Sequence, residues 1–169
     1  MDQGISQFDL INFQNKNIVA LKQRLIQLSS RPNQLHRFVS FSIKGYPNTL
    51  METLISLGKN DSERMLYCRI LNGLHGNDPS LFSEMFDIFA LQSKDPIGRL
   101  VKVLSQAYGQ SNMSWEQFKN DHIVTEIVKL VSALVDDNSL AQVQDVLKYL
   151  MNINKELYRY VVSMVQKRD

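Results

Sequence analysis

Two Asp-Pro pairs, Asp78-Pro79 and Asp95-Pro96, lie close together in the sequence, and an apolar run of helical length follows each pair. An aspartate just before a helix accepts hydrogen bonds from the first free amides, and a proline at the first helical position loses no bond. The pairs therefore predict helices over 79–91 and 96–108, with Gly109 ending the second helix. Because only about three residues connect these helices, they are expected to form an antiparallel hairpin.

Similar helix signals recur on both sides of this hairpin. Asn60 with Glu63, and Ser114 with Gln117, have the three-residue spacing of a capping box. Asp121 either restarts or continues the helix that Ser114 opens. The further helices that the pattern predicts are 18–28, 47–58, 60–74, 114–135, 139–151 and 154–168. The polar residues 136–138 separate the predicted helices 114–135 and 139–151.

The segment 34–43 fits two kinds of secondary structure. Its apolar residues suit a short strand nearly as well as a helix, and they are Phe38, Val39, Phe41 and Ile43. Arg31-Pro32 ends the preceding helix, because the residue before a proline disfavours the helical conformation. No second segment offers itself as a pairing strand, so the alternative does not change the fold class.

The sequence thus predicts an all-α chain of eight or nine helices forming a single domain over 1–169. Residues 1–46 make a basic N-terminal part, and 47–169 make regular helical hairpins. Helix starts recur without one strict period, and no repeat consensus is visible. Stacked antiparallel pairs, in an irregular HEAT- or armadillo-like superhelix, fit this pattern best. A compact helical globule is the alternative.

Composition limits the class of protein. A hydrophobic fraction of 44% and a charged fraction of 21% argue against disorder. Cys68 is the only cysteine, which excludes an intrachain disulfide and fits a reducing compartment, the cytoplasm or nucleus. No apolar run reaches the roughly 18 residues of a membrane span, and residues 1–10 lack the features of a signal peptide. We expect an intracellular protein that does not span a membrane.

The sequence carries no pattern that predicts catalysis. Cys68 and His75 are two helical turns apart, too far to share a metal unaided, and neither His36 nor His122 completes a ligand set. Apolar neighbours indicate a semi-buried, inert thiol at Cys68. No glycine-rich loop precedes a helix with phosphate-binding spacing. We therefore expect no enzymatic activity, no cofactor and no metal site.

The first third of the chain is basic. Up to Lys59 there are seven basic and three acidic residues, whereas twelve basic and fourteen acidic residues follow. The candidate contacts to a partner protein or to RNA are Lys22, Arg24, Arg31, Arg37, Lys44 and Tyr46. Cations bind phosphates and aromatic rings stack on unpaired bases, so RNA is one hypothesis. Since Lys22 and Arg24 lie on opposite sides of one helix, an ordinary solvated surface is the simpler interpretation.

The helix 79–91 is apolar nearly all round, which is typical of an interior helix. The alternative is that Phe82, Met85 and Phe89 form the floor of a groove for a partner helix. We prefer the interior interpretation.

The last helix carries a wide apolar band: Leu157, Tyr158, Val161, Val162, Met164 and Val165. Packing on the preceding helix through Val143, Leu147 and Leu150 is the preferred interpretation. A contact with a second copy of the chain is the alternative.

These patterns together predict a non-enzymatic interaction module that binds a helix or peptide of another protein in a groove between helices. The alternative is an RNA-binding domain that uses the basic N-terminal third, as in a viral or RNA-processing factor. The lack of catalytic patterns favours the first hypothesis over an enzyme, and the lack of a nucleic-acid motif favours it over the second.

Overall fold

A computed structural model describes residues 5–59, 63–92, 94–110 and 114–167 of the chain. Within these ranges all regular secondary structure is helical, which confirms the all-α class. The helices are α1 (Gln7–Gln14), α2 (Ile18–Leu28), α3 (Pro32–Gly45), α4 (Pro47–Lys59), α5 (Arg64–Asn77), α6 (Pro79–Gln92), α7 (Lys94–Gln110), α8 (Trp115–Phe118), α9 (His122–Asp136), α10 (Leu140–Ile153) and α11 (Lys155–Lys167). The described ranges thus hold eleven helices, more than the eight or nine predicted.

Helix α1 is one of the elements that the sequence analysis missed. Ser6 begins it with a capping box: the Asp9 amide donates to Ser6 Oγ at 3.1 Å, and the Ser6 amide donates to Asp9 Oδ2 at 3.0 Å. These two bonds satisfy amides that have no partner inside the helix. Phe13, on the same helix, is buried.

The first Asp-Pro pair starts a helix as predicted, and the second differs in detail. The Leu81 amide donates to Asp78 Oδ1 at 3.1 Å, and α6 begins at Pro79. Helix α7 instead begins at Lys94, so that Pro96 is its third residue, and it continues through Gly109. Both differences cost little free energy. Proline is tolerated in the first turn of a helix, and a glycine inside a helix costs only about 1 kcal/mol of stability.

The two predicted capping boxes have different outcomes. Asn60 lies outside the described residues, and Glu63 stands at the start of α5 without a side-chain capping bond. Ser114 and Gln117 do form the predicted box, but it opens only the single turn of α8. Asp121 then starts α9 afresh, since the Ile123 amide donates to Asp121 Oδ1 at 2.8 Å.

The helices divide into two compact units, an N-terminal unit (Met1–Gln92) and a C-terminal unit (Ser93–Asp169). In the N-terminal unit α2 packs on α4, α3 contacts α4 and α5, and α6 contacts α3, α4 and α5. Its core includes Leu21, Leu25, Leu28, Phe38, Leu50, Leu54, Tyr67, Leu71, Phe82 and Phe86. The grouping into one domain stays a prediction.

In the C-terminal unit α7 packs on α9 and α10, and α11 packs on the same two helices. Its core includes Leu100, Leu104, Ile127, Leu130, Leu134, Val146, Leu150, Leu157 and Val161. Trp115 of α8 contacts Tyr160 of α11 edge to face, with ring centroids 5.7 Å apart. Asn138, in the link from α9 to α10, has φ of 57°, a left-handed conformation that asparagine tolerates well.

Candidate functional site

Two of the predicted contact residues are held in ion pairs within the protein. Lys22 Nζ lies 3.2 Å from Glu63 Oε1, and Arg24 Nε lies 3.1 Å from Asp9 Oδ2. The two carboxylates approach α2 from different elements, which agrees with the opposite directions of the two cations. Lys22 and Arg24 are therefore each already paired with a carboxylate of the N-terminal unit.

The other predicted contacts lie on or beside α3. Arg31 is exposed at its start and makes no side-chain capping bond there. Arg37 and Lys44 are exposed on the helix itself. Tyr46 follows the helix directly and is half-buried.

Arg37 and Lys44 line a pocket of about 520 Å³ beside α3. The residues that line this α3 pocket are Ile5, His36, Arg37, Ser40, Phe41 and Lys44. Residues 37, 40, 41 and 44 have the spacing that places side chains on one face of a helix. Among the described lining residues there is no carboxylate, so the pocket combines two cations with an aromatic and an aliphatic side chain.

On its inner side, Phe41 packs against a cluster of aromatic rings. The Phe13 ring centroid lies 5.4 Å from that of Phe38, 6.4 Å from that of Phe41 and 5.2 Å from that of Tyr46, on which it stacks. Phe13 and Phe38 are buried, whereas Phe41 is 38% exposed. Phe41 thus has a fixed inner edge and an outer surface that a ligand can contact.

His36, a residue of the pocket wall, is tied to the start of α6. His36 Nε2 and Asp78 Oδ2 are 3.0 Å apart, while Asp78 Oδ1 accepts the Leu81 amide hydrogen. The Asp78 carboxylate therefore caps α6 and also connects the start of α6 to α3 through His36. The hydrogen bond from the Leu81 amide, and then the contact with His36, lower the pKa of Asp78 below its ordinary value of 3.8.

Replacing Asp78 by asparagine is expected to destabilise the protein near neutral pH. Asparagine keeps an oxygen that can cap the helix but lacks the charge that the Leu81 amide and His36 stabilise. A lowered pKa means that the folded state favours the ionised carboxylate. Its contribution is therefore present above pH 3.8 and is lost as the pH falls through the lowered pKa.

Urea unfolding of the wild type and of Asp78→Asn at a series of pH values measures this effect. The difference in unfolding free energy should shrink towards zero as the pH falls below 3.8. A difference that stays constant with pH would contradict the role of the charge. Asp78→Ala, which removes the cap as well, should remain destabilised at low pH.

The candidate groove floor on α6 is buried. Phe82, Met85 and Phe89 are at most 1% exposed, and so is Phe86 between them. Ring centroids of Phe82 and Phe86 are 5.0 Å apart, and those of Phe86 and Phe89 are 5.7 Å apart. A floor that accepts a partner would need open surface, so this packing favours the interior interpretation.

The last helix packs on α9 and α10 and buries Leu157 and Val161. Part of its apolar band stays at the surface, where Met164 is 37% exposed. A small pocket of about 210 Å³ between these three helices is lined by Val131, Val135, Val143, Leu147, Val162, Val165 and Gln166. Association with a second copy through α11 stays a prediction.

The three histidines have separate surroundings. His75 lies edge-on to Phe82, with centroids 5.4 Å apart, and His122 Nδ1 lies 3.4 Å from Asp121 Oδ1. In the part of the chain that the structure describes, no three His, Cys, Asp or Glu residues are grouped as metal ligands. None of the helices described there is both long enough and apolar enough to cross a membrane.

No protein-family model, curated protein or solved structure matches this chain. A function for this chain therefore has to be inferred from its own geometry, above all that of the α3 pocket. Of the described residues that line this pocket, Arg37 and Lys44 were predicted as contacts from the sequence, whereas Ile5, His36 and Ser40 were not. The helical spacing of residues 37, 40, 41 and 44 was the signal that could have joined them into one face.

Proposed function

We propose that this protein is a non-enzymatic interaction module that binds a short segment of a partner protein in the α3 pocket. The observation that carries the proposal is the open position of Phe41 between Arg37 and Lys44 on one helix face. The α3 pocket lies between α3 and Ile5, which precedes α1.

The chemistry of the pocket suits a protein partner. Protein interfaces combine an aromatic or aliphatic anchor with surrounding polar and charged groups, and arginine and aromatic residues are enriched in them. Phe41 and Ile5 offer the apolar contact, while Arg37, Ser40 and Lys44 offer the polar edge. Because Phe41 already packs against the aromatic cluster, its side chain would lose little conformational freedom on binding.

RNA is the weaker alternative. Single-stranded RNA sites combine a track of cations along the backbone with aromatic rings for successive bases. Of the five predicted cations, Lys22 and Arg24 are engaged with carboxylates, and only Arg37 and Lys44 line the pocket. Tyr46 stacks on Phe13, so its ring is already in use within the protein.

We also propose that helix pairs stack antiparallel within each unit, as in irregular HEAT or armadillo arrays. Short links between helices that contact each other support this arrangement, for example between α5 and α6 and between α10 and α11. Such stacking would extend the groove beside α3. A single cysteine, Cys68, supports an intracellular setting in the cytoplasm or nucleus.

Selection from a displayed library of random peptides tests the proposed function. Enriched peptides are expected to bind the wild type at least about tenfold more tightly than Phe41→Ala, since an aromatic anchor at an interface commonly contributes that much. Val19→Ala is the matched control, because Val19 is 70% exposed but lies on α2, away from the pocket lining. Thermal melts establish that both variants fold.

Two results would contradict the proposal. One is a library that yields no peptide with a measurable affinity, and the other is binding that Phe41→Ala leaves unchanged. A parallel titration with single-stranded RNA at several salt concentrations covers the alternative. Tight binding that weakens steeply with salt and is lost in Arg37→Gln would assign the pocket to RNA.

A further inference from the structure

We propose that the C-terminal unit binds a small uncharged hydrocarbon molecule, of about the size of toluene, in the pocket between α9, α10 and α11. This α11 pocket has a volume of about 210 Å³ and is lined by five valines, Leu147 and Gln166. It lies in the C-terminal unit, whereas the α3 pocket lies in the N-terminal unit. The proposal is therefore independent of the proposed function.

The volume of the α11 pocket is larger than ordinary packing leaves open. Protein interiors are close-packed, and voids larger than a water molecule are few in a domain. An apolar cavity of about 150 Å³ is enough to bind benzene. At about 210 Å³, the α11 pocket has room for a benzene ring with about two further carbon atoms.

The walls of the α11 pocket are stiff side chains on packed helices. Valine has one strongly preferred side-chain rotamer in a helix, so the five valines cannot rotate freely into the space. Buried neighbours fix the three helices, among them Leu134 of α9, Val146 of α10 and Val161 of α11. The pocket is therefore formed before a ligand binds, and little side-chain freedom is lost on binding.

The lining of the α11 pocket favours an apolar ligand. Val131 and Val143 are buried, the other aliphatic lining side chains are half-buried, and Gln166 is exposed at the open side. Aliphatic side chains give water no hydrogen-bond partner, and water that is held poorly is readily displaced by an apolar group. A charged group would lose hydration against the same side chains, which cannot replace it. The expected ligand is therefore uncharged.

Methyl NMR spectroscopy tests the proposal, because six of the seven described lining residues carry methyl groups. In protein labelled at its valine and leucine methyl groups, toluene should shift the signals of the lining residues and show nuclear Overhauser effects to them, with a Kd of roughly 0.1–1 mM. Benzoate has the same ring with a carboxylate in place of the methyl group, so it should bind at least about tenfold more weakly. The methyl signals of the exposed residues Val19 and Leu91 should stay unchanged.

Leu147→Phe should weaken the binding of toluene at least about tenfold, because the larger side chain fills part of the pocket. Leu140→Phe is the matched control, since Leu140 lies on the same helix but is 65% exposed and is not among the described lining residues. If Leu147→Phe does not fold, Val162→Thr takes its place. It keeps the shape of the wall and adds a hydroxyl group, which should weaken the binding about threefold to tenfold.

The proposal is wrong if toluene at millimolar concentration leaves the lining methyl signals unchanged. It is also wrong if Leu147→Phe and Val162→Thr both bind toluene as tightly as the wild type. Equal affinities for toluene and benzoate would overturn the uncharged ligand. Lining signals that respond to protein concentration and not to toluene would assign the pocket to a contact with a second copy of the chain. Phe41→Ala should bind toluene like the wild type, so the outcome does not depend on peptide binding at the α3 pocket.

Discussion

Replacing Phe86 by alanine is expected to lower the free energy of unfolding by about 3–5 kcal/mol, from lost hydrophobic burial and the cavity left behind. The side chain is 1% exposed and contacts the rings of Phe82 and Phe89. Domains of this size have only about 5–15 kcal/mol of stability in total. The variant should therefore melt at a markedly lower temperature or fail to fold, as circular dichroism at 222 nm would record.

Leu91→Ala is the matched control for this prediction. Leu91 belongs to the same helix, α6, but is 84% exposed, so its removal should change the stability by no more than about 0.5 kcal/mol. An unchanged melting temperature for Phe86→Ala together with lost partner binding would reverse our interpretation. It would restore Phe82, Met85 and Phe89 as the floor of a binding groove.

Replacing Phe13 by alanine is expected to have two effects. Stability should fall by about 3–5 kcal/mol, because Phe13 is 1% exposed and packs against the ring of Phe38. Affinity for peptides should fall as well, even under conditions where the variant is folded. Phe41 and Tyr46 both contact the Phe13 ring, so its removal leaves the pocket wall without support.

Phe8→Ala controls for this second prediction, since Phe8 lies on the same helix and is 78% exposed. Denaturant unfolding measures the stability of both variants, and peptide titration at low temperature measures the affinity. If Phe13→Ala binds library-selected peptides as tightly as the wild type, the aromatic cluster does not support the pocket. If its stability equals that of Phe8→Ala, the packing of α1 contributes little to the N-terminal unit.

Helix α1 shows why some elements could not be predicted from apolar spacing. Its apolar residues point in several directions: Phe13 is buried, whereas Phe8 and Ile11 are 78% and 50% exposed. Such a helix has no distinct apolar stripe, which is the usual signal. The pair Ser6 and Asp9 was the available sign, because an acidic residue three positions after a serine marks a helix start.

Helix α3 shows how one polar residue can hide a helical pattern. Its buried positions are Leu35, Phe38, Val39, Ser42 and Ile43, which follow helical spacing. The burial of Ser42 costs little free energy despite its polarity, because its hydroxyl donates a hydrogen bond to the Phe38 carbonyl oxygen at 2.5 Å. If Ser42 is assumed to be exposed because it is polar, it interrupts the apolar stripe of the helix. The segment then fits a strand nearly as well as a helix.

The candidate site was predictable only in part, because ion pairing depends on distant residues. Glu63 is 41 positions from Lys22, and Asp9 is 15 positions from Arg24. Nothing local in the sequence tells which cations will meet such carboxylates. Arg37 and Lys44 were predicted as contacts, and their grouping with Phe41 could have been predicted too, since the spacing of the three residues places them on one face of a helix.

The position of Trp115 determines what an unfolding experiment on this protein can observe. It is the only tryptophan in the sequence and contacts Tyr160 within the C-terminal unit, whereas Phe13 and Phe86 belong to the N-terminal unit. Indole fluorescence thus follows one unit, while circular dichroism follows every helix. Coincident transitions by the two probes would mean that the chain unfolds as one cooperative domain. If Phe86→Ala separates the two curves, the emission of Trp115 follows a unit that keeps its structure after the other has unfolded.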